Sequence, residues 1–289
     1  MMAKAADVFY ATAKLLVALV CMLLAASSAH AQGKVNAHYT ISMTGVTIGE
    51  IAWRIDIGAT LYSMSASGKA SGVLSVLING EGSVAAQGSI AADRLNPSSY
   101  KSIITDDDGT ITLQMTFADG VATERIAPQP PDHADRVPIT DYDRRGVADP
   151  LSAVLLPTKL GGGALAASDC DRALKIYDGR RRYNLALSHG RLDKVAVEHG
   201  YSGPILVCEV VLQPIAGYRA DSMIVKYVAG RRNMELWFAP IAGTSIMAPV
   251  RVLMPTLIGT LKIQADQFEA IAVAPTPAPV EASPLPPPQ

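Results

Sequence analysis

The sequence predicts an all-β protein: one long, mainly antiparallel sheet, curved until it is closed or half closed around a helix. Three observations carry this. Segments of alternating polar and apolar residues recur along the chain, whereas runs with a helical period are scarce. Turn signals separate them, among them Asp119-Gly120, Asp178-Gly179 and His189-Gly190. Strands do not alternate with helices, which disfavours a parallel α/β sheet.

The elements follow in order. His38–Met43, Gly45–Ile57 and Leu61–Ala70 alternate with a period of two and form an antiparallel meander. Ser71–Ile78 is apolar without alternation and reads as a short helix or a buried strand. Strands are expected at Gly80–Ile90, Ser99–Thr105, Thr110–Phe117 and Val121–Ile126. Pro128–Arg145, with four prolines among scattered charges, is an irregular connection. The best helix is Pro150–Leu160: Asp149 can cap the free amides, Pro150 fits the first turn, and Gly161-Gly162-Gly163 ends it. Beyond it, strands are expected at Arg172–Tyr177, Arg182–Ser188, Lys194–Tyr201, Ile205–Pro214, Met223–Tyr227, Met234–Pro240, Val250–Met254 and Gly259–Ala270.

Residues 1–31 have the three parts of a secretory signal: a basic start with Lys4 and Lys14, the apolar run Leu15–Ala26, and small residues at Ala29 and Ala31. The apolar run is short against the ~20 residues that span a bilayer, so cleavage between Ala31 and Gln32 is expected, and no transmembrane span after it. Residues 32–271 then form a single β-rich domain, and 272–289, rich in proline and without periodicity, a disordered tail. With a net charge of −1 there is no broad basic face for nucleic acid. Once Cys21 leaves with the signal, Cys170 and Cys208 remain as an even pair in an oxidising compartment, which predicts a disulfide.

Each candidate for chemistry meets a plainer alternative. A Cys-His nucleophile pair needs spatial adjacency, and the disulfide is the stronger reading of Cys170. The five histidines are scattered, with no H-x-x-x-H or C-x-x-C spacing for a metal. Asp106-Asp107-Asp108-Gly109 has Phe117 where a calcium loop counted from Asp106 needs its twelfth-position glutamate, so it reads as a solvated hairpin tip. No G-x-S-x-G elbow or P-loop occurs. Arg180-Arg181-Arg182 is the only dense charge cluster and a candidate contact for an anionic partner; a solvated turn is the plain alternative.

One ordered series of residues goes further. Asp149-Pro150-Leu151-Ser152-Ala153, Cys170, Tyr177-Asp178-Gly179-Arg180-Arg181-Arg182-Tyr183, Tyr201-Ser202-Gly203, Cys208, Pro214-Ile215-Ala216-Gly217 and Glu235-Leu236-Trp237-Phe238-Ala239-Pro240 together resemble the domain-of-unknown-function family 3108 of exported Gram-negative envelope proteins. The resemblance covers most of residues 38–270. It implies a strongly curved open barrel or β-spiral with one or two short helices, a periplasmic location, and no catalytic role or cofactor to carry over. Two jobs fit: a non-enzymatic factor binding an envelope protein or polymer, or a carrier of lipid or another hydrophobic ligand in the concave face.

Overall fold

The computed structural model describes residues 32–72, 80–91, 94–129, 135–158, 164–229, 231 and 233–274. The signal segment and its cleavage edge at Ala31, most of the apolar stretch at 71–78, and the tail from residue 275 lie outside the described residues. In the described part the fold is the expected one: an antiparallel, nearly closed barrel with one seam and two short helices.

Seven strands form a meander: β1 (Gln32–Met43), β2 (Val46–Ile57), β3 (Leu61–Ala70), β4 (Glu81–Ala91), β5 (Arg94–Asp106), β6 (Gly109–Ala118) and β7 (Val121–Ala127). A connection leads to helix α1 (Pro150–Ala153), the short β8 (Leu156–Pro157) and a 3₁₀ turn at Ala167–Cys170. Then come β9 (Arg172–Tyr177), β10 (Arg182–Ala196), β11 (His199–Gly200), β12 (Ser202–Ala216), helix α2 (Met223–Val228), β13 (Met234–Pro240), β14 (Ile246–Thr256) and β15 (Gly259–Val273). The hydrogen-bonded order is β7-β6-β5-β4-β3-β2-β1-β15-β14-β13-β12-β10-β9, so β1 and β15, the two ends of the described chain, lie side by side in mid-sheet.

Alternation explains the first arm. Val35, Ala37 and Tyr39 of β1, Trp53, Ile55 and Ile57 of β2, and Tyr62 and Met64 of β3 are buried on one face, while the residues between them are largely exposed. The second arm reads differently because β12 to β14 are covered on both faces. Ile205, Val207, Ala239 and Ala248 join the main core, and their neighbours Leu206, Cys208, Phe238 and Met247 join a second cluster with Leu156, Cys170 and Val228. Two-sided burial replaces alternation with continuous apolar runs, as in Ile205–Cys208.

Four expectations need correcting. The helix from Pro150 stops at Ala153 instead of Leu160, because Leu155 and Leu156 are drawn into the two cores and residues 156–157 pair with β14. Met223–Tyr227 is helical, not extended: the Ser222 hydroxyl caps it by accepting from the Val225 amide, and the turn buries Val228. His189-Gly190 is no hairpin turn but a bulge inside β10, where the register shifts between Ser188 and Arg191. Finally, β15 continues to Val273, so Ala272 and Val273 pair with Gly33 and Gln32 and do not belong to the tail.

The seam lies between the outer edges of β7 and β9, and residues 144–148 strap it shut. The Ala122 amide donates to the Arg144 carbonyl, and the Gly146 amide to that of Gly120. On the other side the Ala148 amide donates to the Lys175 carbonyl, and the Tyr177 amide to that of Ala148. Both unpaired strand edges thereby find backbone partners in a segment with no strand pattern of its own. Side chains reinforce the strap: the Arg144 guanidinium grips Glu124 of β7 with two nitrogens, at 2.6 Å from Nη2 and 3.1–3.2 Å from Nε, and lies 5.8 Å from the centre of the Tyr177 ring.

Arg144→Ala is expected to lower stability by about 2–3 kcal/mol, because it leaves the largely buried Glu124 carboxylate without its cation. The pair replacement Arg144→Met with Glu124→Gln should recover most of that loss, since no charge is then left unpaired. Urea unfolding of the three proteins checks this; a single variant as stable as the parent would refute the strap.

Candidate functional site

One mouth of the barrel holds a cavity of about 1160 Å³. Its wall comes from the β2–β3, β4–β5 and β6–β7 ends, from β9 and from the strap at Gly146–Ala148. Its floor comes from Ser152, Ala153 and Leu155, in and just after α1. That helix touches β4 and β5 on one side and β9 on the other, so it lies within the curve of the sheet and bridges the seam. Beneath it the interior is filled by large side chains, including Tyr39, Trp53, Met64 and Met115.

The floor is held by hydrogen bonds that the local sequence dictates. Asp149 is fully buried, and its Oδ1 accepts from the amides of Leu151 at 3.0 Å and Ser152 at 2.9 Å, the capping geometry that Asp-Pro at a helix start favours. The Tyr62 hydroxyl donates to Ser152 Oγ at 2.9 Å, tying α1 to β3. Burial pushes the Asp149 carboxyl above the ordinary carboxylate range, against the pull of those amides. Burial likewise raises Tyr62, and takes Tyr100 up to about 12 with the Asp149 carboxylate adding to the effect. Both phenols therefore keep their protons at neutral pH.

The lining is mixed. Leu61, Leu95, Phe117 and Leu174 give apolar surface, while two carboxylates (Asp56 and Asp119) and two cations (Arg94 and Lys175) stand among them. That composition suits a ligand with both apolar and polar or charged parts. Among the described residues, no group of three or more His, Cys, Asp or Glu side chains could hold a metal ion. No helix among them is long and apolar enough to cross a membrane.

Cys170 and Cys208 are brought together: their Cα atoms stand 5.5 Å apart as a disulfide that ties the 3₁₀ turn to β12 inside the second apolar cluster. Gln32, at the expected cleavage edge, is the first residue of β1 and pairs with Val273. The three arginines do not share one surface. Arg180 is half-buried and Arg181 exposed at the β9–β10 turn, where both backbone amides donate to Asp178 Oδ1. Arg182 turns inward: only 8% exposed, it donates to the Tyr183 carbonyl and to Asn184 Oδ1. None of the three lines the mouth. Sequence reading missed the mouth itself, because its lining comes from turns and short segments far apart in the chain. The one available signal was Asp149-Pro150, which announced the floor helix but not what stands above it.

No curated protein matches the chain. Among solved structures, a beta-barrel-like protein of domain of unknown function DUF1849 from Brucella abortus is similar, with 7% identity and a TM-score of 0.46 over 84% of this chain and 98% of that one. The family model described as protein of unknown function (DUF3108) matches residues 38–266, nearly the whole barrel, and the chain belongs to that family.

Proposed function

We propose that this is a non-enzymatic periplasmic envelope protein whose barrel mouth receives a segment of an envelope protein or polymer. The observation that carries the reading is the mouth cavity: about 1160 Å³, fixed by hydrogen-bonded walls and lined by both apolar and charged groups. The signal-like first 31 residues and the cysteine pair support an exported protein. The alternative, a carrier of lipid in the concave face, needs an open apolar interior. Here α1 and the side chains beneath it occupy that space, so only the mixed mouth remains for a ligand.

Ala173 tests this directly, since it lines the cavity from β9 with an exposed side chain. Ala173→Trp should fill the mouth without entering the core, and leave the stability within about 0.5 kcal/mol of the parent. Capture of envelope components from intact periplasm by the tagged parent, lost in Ala173→Trp, is the expected result. Capture by neither protein, or equally by both, would overturn the reading. Co-purifying lipid released equally by both proteins on native mass spectrometry would favour the carrier instead.

A further inference from the structure

We propose that Arg136, Arg180 and Arg181 form a binding site for a phosphate-bearing ligand on the β9–β10 turn, apart from the mouth cavity.

Three segments distant in sequence meet there. Residues 135–137 run beside 217–219: Arg136 bridges to Arg219, the Val137 amide donates to the Tyr218 carbonyl, and the Gly217 amide to that of Val137. Gly217 in turn lies directly on the β9–β10 turn. It has a φ of +81°, and a Cβ there would collide with the Arg180 carbonyl oxygen and press on the Arg181 Cα, so only glycine permits the approach. Arg136 Nη1 donates to the Gly217 carbonyl at 2.8 Å, which fixes its guanidinium beside the turn that carries the other two arginines.

These cations lack matching anions among the described residues. Arg219, which bridges to Arg136, is paired with Asp135 at 2.7 Å and lies 3.7 Å from Asp221. Among the described residues, Arg136, Arg180 and Arg181 make no such ion pair, and the buried Arg136 Nε has no hydrogen-bond partner there. Asp178, on the same turn, has its Oδ1 engaged by the two turn amides. Burial and the repulsion of Arg136 and Arg181 hold Arg180 below the usual arginine range despite Asp178. A preformed cluster of like charges, part-buried and held by backbone packing, is stable only at a cost that a bound anion removes.

The ligand class follows from charge. A single carboxylate brings one negative charge to three guanidiniums. A phosphate monoester brings ≈ −1.5 to −2 and several acceptor oxygens, and arginine forks suit it geometrically. The same monoester group occurs in soluble phosphate esters and in the headgroup of phosphatidic acid, and the experiment separates these sources.

The purified protein is titrated calorimetrically with inorganic phosphate at fixed salt, and co-sedimented with vesicles of phosphatidylcholine alone or with phosphatidic acid added. Phosphate binding that weakens at least tenfold in Arg136→Gln/Arg180→Gln, and is unchanged in Arg54→Gln, an exposed arginine on β2, is the expected result. Co-sedimentation only with phosphatidic acid, lost in the same double variant, supports the site with a lipid headgroup as its source; phosphate binding without it supports a soluble ester. Should the double variant lose its far-ultraviolet circular dichroism, Arg181→Gln is read instead, with at least threefold weaker binding expected. No binding to phosphate or vesicles, or binding equal in the parent and the folded arginine variants, overturns the proposal. Ala173→Trp should bind phosphate like the parent, so failure at the mouth and failure at this site are told apart.

Discussion

Replacing Cys170 and Cys208 together by alanine is expected to cost about 4 kcal/mol, the chain-entropy value for a cross-link closing a loop of 38 residues. For a body of this size that lowers the unfolding temperature by roughly 10 °C. The constraint acts mainly on the unfolded chain, so the native barrel of the double variant should give the parent's near-ultraviolet spectrum below its transition. A further loss comes from packing, because both sulphurs are fully buried among Leu187, Leu206, Phe238 and Met247. Thermal unfolding with and without dithiothreitol checks this. The reductant should bring the parent close to the double variant and leave the variant unmoved. A parent indifferent to reductant, with the same midpoint as the variant, would refute a structural cross-link.

Why the pair was legible in the sequence, and other features were not, has a physical basis. A disulfide needs only two residues and a compartment, and both are written locally. The first arm was legible because β1 to β3 bury one face, so that Trp53, Ile55 and Ile57 stand out against Arg54 and Asp56. The second arm lost that contrast once α2, β8 and the 3₁₀ turn covered its other face, and β12 and β14 outran their expected bounds at both ends. Met223–Tyr227 shows the same effect at the level of one turn: its β-branched residues suggest a strand, but Ser222 and the burial of Val228 decide for a helix. The strap at 144–148 carries no pattern, because its hydrogen bonds use backbone groups that any sequence supplies. The arginine run was visible as charge, yet its division into an inward Arg182 and a turn pair depends on where the turn ends and β10 begins. The third member, Arg136, comes from a connection that looked featureless.

Phe268→Ala is expected to cost about 3–5 kcal/mol, the range for deleting a fully buried aromatic ring. The residue does more than fill space, and its loss should be felt first at one place. Its ring meets Tyr201 edge-on, with centroids 6.1 Å apart at 74°, and its carbonyl accepts from the Tyr201 amide at 2.9 Å. Through these contacts, and the pairing of His199 and Gly200 with Gln267 and Phe268, the tip of the long β10–β12 hairpin is fastened to β15. The hairpin reaches it because of the bulge at His189-Gly190: His189 has a φ of +49°, and a Cβ on Gly190 would collide with the Ala167 carbonyl oxygen. The bulge breaks the regular register and increases the local bend, and Phe268 captures the tip there. Removing the ring should therefore speed amide exchange at Tyr201 and Val197 more than at Val35 in the main core, where exchange follows global unfolding. Phe268→Leu, which keeps most of the volume, should cost less than about 1.5 kcal/mol and protect the tip. Urea unfolding gives the total and residue-resolved exchange its distribution. A loss below about 1 kcal/mol, or a uniform rise in exchange across tip and core, would mean that the hairpin tip is held by something other than this ring.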